Sequence, residues 1–202
     1  MERSRSHREP IYQLGFDGTG QWSPPVDVTP KHMRLRDPET EYLMRVGRFV
    51  RELEEGMSVT SPAEVAHYLM TQVYTPFAAF DQEELWVLLL NVKHKITHDA
   101  LVYRGTVNAS SVRIAEVFKQ AIRHNRPAII LAHNHPSGDP LQSREDIHVT
   151  NQVIQAGRLL DVELLDHIIV GDGRWTSLRE QGLGEWGVPR YRTTITGQPL
   201  ER

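Results

Sequence analysis

The sequence predicts an α/β or α+β fold in which a mixed β-sheet is flanked by helices. The first observation is a set of short apolar segments, bounded by polar or turn-forming residues, that is typical of buried strands. The second is that these segments alternate with stretches whose apolar residues recur at three- and four-residue steps, as in amphipathic helices. The third is a composition of 39% hydrophobic and 24% charged residues, which is ordinary for a globular domain.

The N-terminal part of the chain changes character at about residue 37. Residues 1–36 hold scattered Gly and Pro without a sustained period and predict an extended arm. Residues 37–75 predict two helices, the first ended by Gly56 and the second opened by Ser61-Pro62-Ala63-Glu64, in which Ser is an N-cap and Pro occupies the first turn. The apolar face of the first helix would consist of Tyr42, Leu43, Val46, Phe49, Val50 and Leu53, and Pro76 would end the second helix.

The main domain is predicted over residues 76–182, followed by a tail over residues 183–202. Strands at 83–91 and 96–106 are joined by a turn at 93–95, and a helix capped by Ser110 or Ser111 leads into a strand at 128–132. A helix beginning at Ser143 comes next, and strands at 162–170 and 175–178 complete the sheet. The apolar side of this helix would carry Ile147, Val149, Val153, Ile154 and Leu159.

Composition narrows the classes of function. The chain has no cysteine, which excludes disulfides, thiol nucleophiles and cysteine-based zinc ribbons. Its longest apolar run, residues 85–90, is far shorter than the roughly 20 residues of a membrane-spanning helix, and its polar start has no signal segment. We therefore expect a cytoplasmic protein without a membrane partner. The formal net charge is −3, so binding to nucleic acid would need a local basic patch.

One cluster of residues carries the chemistry. Residues 133–146 read His-Asn-His-Pro-Ser-Gly-Asp-Pro-Leu-Gln-Ser-Arg-Glu-Asp, with prolines and a glycine that prevent a regular strand and allow a turn in which both imidazoles converge. Asp146 would lie on the first turn of the following helix, with its carboxylate aimed back at the loop. Two imidazoles and one carboxylate with an open fourth position predict a catalytic zinc site at His133, His135 and Asp146.

Such a site is suited to hydrolysis, because bound zinc lowers the pKa of a water ligand from ~15.7 to about 7 and polarises a carbonyl. A nearby carboxylate can take the proton of the water and deliver it to a leaving amine, and Glu83 and Glu84 are candidates. Ser143 could donate its hydroxyl to the oxyanion or orient the water. Both glutamates could equally be polar strand-end residues, and Ser143 with Asp146 could equally form an N-terminal helix box.

These motifs together resemble the RadC family, a bacterial branch of the JAMM (MPN+) metalloprotease superfamily. The signature of that superfamily is a glutamate followed far downstream by His-x-His, seven or more residues, and Ser-x-x-Asp. The resemblance covers roughly residues 61–182 and includes Gly105-Thr-Val-Asn108, His133-Asn-His-Pro-Ser-Gly138 and Leu165-Asp-His-Ile-Ile-Val-Gly171. It implies an MPN/JAMM-type, cytidine-deaminase-like sandwich with a mixed central sheet flanked by helices.

Residue by residue, the resemblance implies that the two histidines and the aspartate of the motif bind Zn2+, and that Ser143 supplies the oxyanion-side hydroxyl. RadC-like chains place the general base eight residues before the Asp or Asn that closes the strand, here Asn91, which selects Glu83 over Glu84. The implied activity is a zinc metallopeptidase type of hydrolysis, acting on a peptide, isopeptide or related amide bond of a peptide or protein substrate.

The chain departs from the family pattern in three places. It has no Gly-rich hairpin of the helix-hairpin-helix module with which RadC proteins usually start, so DNA contact through that module is not indicated. The Pro-Arg-Glu tripeptide of the family appears as Ile114-Ala115-Glu116, which leaves Glu116 as a third candidate for a site role. The proline often found before the motif serine is Gln142, which alters the stiffness of the loop but not the identity of the ligands.

Other functions compete with hydrolysis of an amide. A non-catalytic accessory protein associated with DNA repair would not need the full ligand set that this chain carries. A nuclease usually recruits more carboxylates than the motif offers. A nucleobase deaminase of similar fold is excluded because its zinc signature needs cysteines. The sequence leaves the oligomeric state open.

The remaining histidines have simpler interpretations. His167 follows Asp166 inside an apolar segment, so we expect a hydrogen-bonded structural pair and not a metal ligand. His94, His98, His124 and His148 are expected to be solvated.

Overall fold

The computed structural model describes residues 12–13, 26–27, 49–105 and 112–187. The strands are β1 (Tyr12–Gln13), β2 (Val26–Asp27), β3 (Val50–Ser58), β4 (Glu84–Leu90), β5 (Lys95–Arg104), β6 (Ala128–Asn134), β7 (Glu163–Val170) and β8 (Trp175–Ser177). The α-helices are α1 (Pro62–Tyr68), α2 (Ile114–Arg123) and α3 (Arg144–Leu160), and short π- and 3-10-helical turns follow α1 at Leu69–Val73 and Phe77–Ala79. Most of the predicted N-terminal arm at 1–36 lies outside the described residues.

The domain is organised around a six-stranded sheet with the order β3-β5-β4-β6-β7-β8. Strands β6 and β7 are parallel, because α3 crosses over between them, and the other neighbouring strands are antiparallel. Strands β1 and β2 pair separately as a two-stranded sheet. The predicted mixed sheet is therefore confirmed.

The sheet buries both faces, as the sandwich prediction requires. Along β4 the side chains alternate, so that Trp86, Leu88 and Leu90 join the apolar cluster on the α1 side. Leu85 and Leu89 point the other way, into the cluster that α2 and α3 complete. All seven residues of β4 are buried, which explains why the segment is a continuous apolar run and not an alternating one. We call the side covered by α2 and α3 the helical face of the sheet.

The first predicted helix, which was to end at Gly56, is wrong over the residues that can be compared. Residues 50–58 form the edge strand β3, paired antiparallel with β5, and the strand continues through Gly56, which has a φ of +61° within a register shift. Phe49 and Leu53 pack on the α1 side of the sheet. Pairing with the long strand β5 overrides the helical spacing of these residues. Residues 38–48 of that predicted helix lie outside the described residues.

The second predicted helix is confirmed as α1. The hydroxyl of Ser61 accepts a hydrogen bond from the Glu64 amide, and the Glu64 carboxylate accepts one from the Thr60 amide at 2.6 Å, so the first turn is capped from both sides. Pro62 occupies the first turn. The chain becomes irregular before Pro76, as predicted.

Strands β4 and β5 match their predicted positions within two residues, and the turn between them is the predicted one. The side chain of Asn91 accepts hydrogen bonds from the amides of Lys93 and Lys95, while His94 adopts a positive φ of 54°. Helix α2 begins at Ile114 after Arg113, which makes no side-chain cap, while the predicted caps were Ser110 or Ser111. These two serines lie outside the described residues.

Helix α3 confirms the predicted start at Ser143 but not all of the predicted apolar side, because Leu159 is 87% exposed at the end of the helix. Residues 183–187 of the predicted tail pack against this helix: Trp186 contacts the apolar cluster, and the Glu185 amide donates to the Asn151 side chain at 2.7 Å. Among the helices of the described residues, none combines the length and the apolar character that a membrane crossing requires.

Candidate metal centre

Strand β6 carries the first two residues of the cluster. His133 is the penultimate residue of the strand and pairs with Leu85 of β4. The amide of His135 donates to the carbonyl of Val170 at 2.9 Å, which keeps the chain extended along β7. Because residues two apart in an extended chain share one side, both imidazoles project from the same face.

The loop after His135 is anchored through one carbonyl. Gly138 has a φ of +80°, and its carbonyl oxygen accepts from the Asp172 amide at 3.1 Å and from the Arg174 guanidinium at 3.0 Å. The loop lies so close to the end of β7 that a Cβ on Gly171 would approach this oxygen to 2.3 Å. The turn therefore follows His135, and the imidazoles converge on extended backbone and not, as predicted, within the turn. The return path of the loop to α3 is fixed by contacts with the β7–β8 connection.

The third residue comes from the start of α3. Ser143 is the N-cap, and its hydroxyl accepts from the Asp146 amide at 3.1 Å. In return, Oδ2 of Asp146 accepts from the Ser143 amide and hydroxyl, both at 2.7 Å. This capping box locks the carboxylate in one orientation and directs Oδ1 toward His133. The hydroxyl of Ser143 thus contacts the aspartate, and its predicted role at an oxyanion stays a prediction.

The structure brings the three predicted ligands together. One nitrogen of His133, one nitrogen of His135 and one oxygen of Asp146 lie within 4.8 Å of one another. The two Nε2 atoms are 3.0 Å apart, and Oδ1 of Asp146 lies 3.1 Å from Nε2 of His133. The side chains of His133 and Asp146 are 0% and 2% exposed, whereas that of His135 is 15% exposed. Solvent therefore reaches the cluster from the side of His135.

The electrostatics of the cluster favour a cation. Burial disfavours the charged form of Asp146, but the neighbouring His133 and His135 and the hydrogen bond from Ser143 outweigh it and hold the pKa of this carboxyl far below its ordinary value. Burial also opposes a charge on His135, yet hydrogen bonds to Asp146 and to the Asp139 carbonyl raise the pKa of His135. The carboxylate is thus anionic at neutral pH and attracts positive charge to this point.

The donor set fits zinc. Two imidazole nitrogens and a carboxylate oxygen are ordinary ligands of Zn2+, whose bonds to nitrogen are about 2.0–2.1 Å long, so that two nitrogens on a tetrahedral ion lie about 3.3 Å apart. The observed separation of 3.0 Å between the two Nε2 atoms is close to this value. Nδ1 of His135 lies 2.9 Å from the Asp139 carbonyl, an acceptor only, so this nitrogen carries a proton, and in the neutral ring Nε2 offers its lone pair.

The side chains of Glu83 and Glu84 lie on opposite faces of the sheet. The carboxylate of Glu84 is buried on the α1 side, where it accepts from the indole of Trp86 at 3.0 Å and forms an ion pair with Arg104. The carbonyl of Glu83 accepts from the Gly105 amide, which continues the strand by one residue, and alternation then places the Glu83 side chain on the helical face with Leu85. Its negative charge helps to raise the pKa of His135. Of the two glutamates, Glu83 is the one on the face of the sheet that carries the cluster.

Glu116, the third candidate, is not part of the cluster. It lies on α2, where its 39% exposed carboxylate pairs with Lys119 at 3.1 Å. The expected solvation of four histidines is wrong for His98, which is 3% exposed, and right for His94 and His148.

The expected hydrogen bond between Asp166 and His167 is present, but the backbone amide of His167 donates it and not the ring. The Asp166 carboxylate accepts from Ser177 at 2.6 Å and from the Arg179 amide, and its contact with His167 is to the backbone. The His167 ring points to the helical face, contacts His133 and Thr150, and is fully buried. Burial and the neighbouring His133 lower the pKa of His167 well below its ordinary value. A signal for Thr150 was available, since it is four residues after Asp146 and so shares its side of α3.

Comparison with known proteins agrees with this architecture. A family model described as a RadC-like JAB domain matches residues 59–183. A UPF0758 protein of Chloroflexus aurantiacus is 48% identical over 132 residues, which are 65% of this chain and 56% of that protein. A UPF0758 protein of Bacillus cereus is 43% identical over 136 residues, or 67% of this chain and 59% of the relative. The chain thus spans little more than half of the length of these curated relatives.

Proposed function

The chain belongs to the RadC family of JAB-domain proteins, and we propose that it is a zinc-dependent hydrolase of the metallopeptidase type, acting on a peptide, isopeptide or related amide bond. The observation that carries the proposal is the convergence of one atom each from His133, His135 and Asp146 within 4.8 Å, at a point that solvent reaches. The superfamily to which the JAB domain belongs includes metallohydrolases, and this donor set is the one a catalytic zinc site uses.

The three proposed ligands differ in burial, and we assign them different roles on that basis. His133 and Asp146 are held inside the domain, so they fix the position of the ion, while the partly exposed His135 forms the wall that a substrate would meet. Zinc bound there would supply a nucleophilic water near neutral pH and would polarise the carbonyl to be attacked. No second cluster of this kind occurs within the ranges that the structure describes.

Glu83 is proposed as the general base. Its side chain is on the helical face and close enough to His135 to influence its charge, so its carboxylate can take a proton from the attacking water and return it to the leaving amine. Glu84 cannot share this role from the opposite face, where Trp86 and Arg104 hold it. Ser143 is proposed to help stabilise the oxyanion, in addition to its contact with Asp146.

The proposal is tested by metal content and by turnover, measured separately. Elemental analysis should find about one zinc per chain in the wild type and none in the His133→Ala/His135→Ala double variant. Glu83→Gln should retain zinc and lose activity on a panel of fluorogenic peptide and isopeptide substrates by about 10²–10⁴-fold. Asp81→Asn, which changes an exposed carboxylate two residues away, is the matched control and should keep full activity.

Labelled single- and double-stranded DNA belongs in the same panel. Cleavage of DNA that depends on the two histidines, without hydrolysis of any amide, would replace the metallopeptidase proposal with a nuclease. A wild-type protein that takes up no zinc would contradict the metal site itself.

A further inference from the structure

A chain of hydrogen bonds joins two of the proposed ligands through residues that the ligand motif does not contain. Nδ1 of His133 lies 2.8 Å from Nε2 of His167. Nδ1 of His167 lies 2.6 Å from the hydroxyl of Thr150, and this hydroxyl donates to the backbone carbonyl of Asp146 at 2.6 Å. The chain connects β6 with β7 and with α3, and it ends on the residue that supplies the third ligand.

The direction of each hydrogen bond in this series follows from the final acceptor, the backbone carbonyl of Asp146. The Asp146 carbonyl can only accept, so the single hydroxyl proton of Thr150 is used there and the Thr150 oxygen must accept from Nδ1–H of His167. Both ring nitrogens of the fully buried His167 face neutral partners, and an imidazolium would be desolvated there without an anion. His167 is therefore neutral, its Nε2 is an acceptor, and Nδ1 of His133 is the donor.

This direction decides what the other side of the His133 ring can do. A neutral imidazole has one N–H, and the chain places it on Nδ1, so Nε2 presents its lone pair. That lone pair faces Nε2 of His135 at 3.0 Å, and His135 in turn uses its own N–H on the Asp139 carbonyl. The opposite tautomer of His133 would let Nε2–H donate to His135 or to Asp146, and a proton would then fill the place of the ion.

We infer that His167 and Thr150 are positioning residues that fix the tautomer of His133 and thereby prepare its Nε2 to bind a divalent cation. The inference rests on the proposed metal site and adds to it two residues that touch neither ion nor substrate. Partners of this kind orient the ligands of many metal sites, and their loss typically weakens metal affinity about 10–100-fold.

Thr150 offers a matched pair of variants. Thr150→Val has nearly the same shape but no hydroxyl, so His167 loses the acceptor that sets its tautomer, whereas Thr150→Ser keeps the hydroxyl. The zinc dissociation constant, measured by competition with a chromophoric chelator, should rise about 10–100-fold in Thr150→Val and stay within a few-fold of wild type in Thr150→Ser. Equal affinities in Thr150→Val and in a zinc-binding wild type would overturn the inference and leave the proposed function standing.

A second measurement reads the tautomer directly. Long-range ¹H–¹⁵N correlation spectra of the metal-free protein at neutral pH distinguish a histidine protonated at Nδ1 from one protonated at Nε2. We expect His133 to carry its proton on Nδ1 in the wild type and in Thr150→Ser, and to populate the Nε2 form in Thr150→Val. A wild-type His133 protonated on Nε2 would refute the inferred direction of these hydrogen bonds, whatever the affinity of the protein for zinc.

Substitution of His167 completes the test. His167→Gln retains an amide oxygen that can accept from His133, while His167→Leu retains nothing polar. Bound Co2+ should show a tetrahedral d–d absorption in His167→Gln and a shifted or weakened one in His167→Leu, and thermal unfolding with chelator present would show whether either variant still folds. If His167→Leu does not fold, the Thr150 pair decides the matter. A wild type that binds neither Zn2+ nor Co2+ would refute the proposed function, and the NMR spectra would still decide the direction of the chain.

Discussion

Two regions on the helical face of the sheet place histidines beside a carboxylate, and only one of them forms a candidate metal centre. The first is the cluster of His133, His135 and Asp146. The second is a pocket between β3, β5 and α2, which we call the basic pocket, lined by Val50, Glu52, His98, Lys119, Gln120, Arg123 and His124. Their positions along β4 differ by four residues, since His133 pairs with Leu85 and His98 with Leu89, a separation of about 13 Å.

The two regions differ in what surrounds the rings. In the cluster each histidine contacts a hydrogen-bond partner through Nδ1, and both Nε2 atoms point to one carboxylate. In the basic pocket the rings of His98 and His124 lie against each other with their centroids 4.2 Å apart, and Nδ1 of His98 contacts the hydroxyl of its neighbour Thr97. Proximity of imidazoles and an acid is thus not sufficient. Ordered partners behind the rings are what aim the ligand atoms.

The largest effect is expected when the carboxylate of each region is replaced, Asp146 in the cluster and Glu52 in the basic pocket. Asp146→Asn keeps an oxygen for the contacts with Ser143 but removes the anionic ligand, and we expect zinc content to fall from about one per chain to near zero after dialysis. Glu52→Gln, the matching change in the basic pocket, should leave zinc content unchanged. Elemental analysis of both variants checks this, and equal zinc in Asp146→Asn and wild type would remove the distinction between the regions.

A smaller effect is expected from moving the loop between the ligands. A Cβ on Gly171 would approach the Gly138 oxygen to 2.3 Å and Pro140 Cδ to 2.8 Å, so Gly171→Ala should displace the loop and weaken zinc binding on the order of 10-fold. Gly173→Ala is the control, because its Cβ would meet nothing within 4 Å although its φ is +64°. Zinc affinity measured for both should change only in Gly171→Ala.

Variants of the two helix caps distinguish an effect on stability from an effect on the orientation of a ligand. Ser143→Ala and Ser61→Ala each remove an N-cap hydroxyl, of α3 and α1 respectively, and each should lower the free energy of unfolding by about 0.5–2 kcal/mol. Only Ser143 also donates to the Asp146 carboxylate, so only Ser143→Ala should in addition weaken zinc binding. Urea unfolding of the metal-free proteins, followed by zinc titration, distinguishes the two effects. Zinc affinity reduced equally in both variants would show that capping alone is responsible.

The smallest effect concerns pH and the basic pocket. Burial, then His124 and Arg126, lower the pKa of His98 against the opposing influence of Glu52 and Asp99. Because the folded pKa lies below the unfolded one, the contribution of His98 to stability is present above the unfolded pKa and is lost as the pH falls through the folded pKa.

We therefore expect the free energy of unfolding to fall less between pH 7 and pH 5 in His98→Phe than in the wild type. Urea unfolding at the two pH values checks this, with the exposed His94→Phe as control. Identical slopes in His98→Phe and wild type would exclude His98 as a source of the acid sensitivity.

Parts of the fold and of the candidate ligand cluster could be predicted from local sequence. The continuous apolar run of β4, the Ser61-Pro62 start of α1 and the Ser143 cap all appear as predicted, because local propensity and burial agree there. Strand β3 was not predictable, since its helical spacing is overridden by pairing with β5, whose paired residues lie 37 to 50 positions away in the sequence.

The contacts behind the ligands were hidden for a similar reason. His167 is separated by 34 residues from His133 and by 17 from Thr150, so no local pattern indicates the chain they form. The choice between Glu83 and Glu84 needed the family spacing, and strand alternation together with the ion pair of Glu84 with Arg104 gives it a physical basis.

The candidate centre draws its parts from β6, β7 and α3, which come together only when the sheet and its crossover helix have assembled. An ion held there would bind the native state and not the unfolded chain, so the midpoint of thermal denaturation should climb with the concentration of free metal. At a hundred times the dissociation constant this linkage amounts to about 2.7 kcal/mol. Metal supply would then govern how long the protein survives proteolysis.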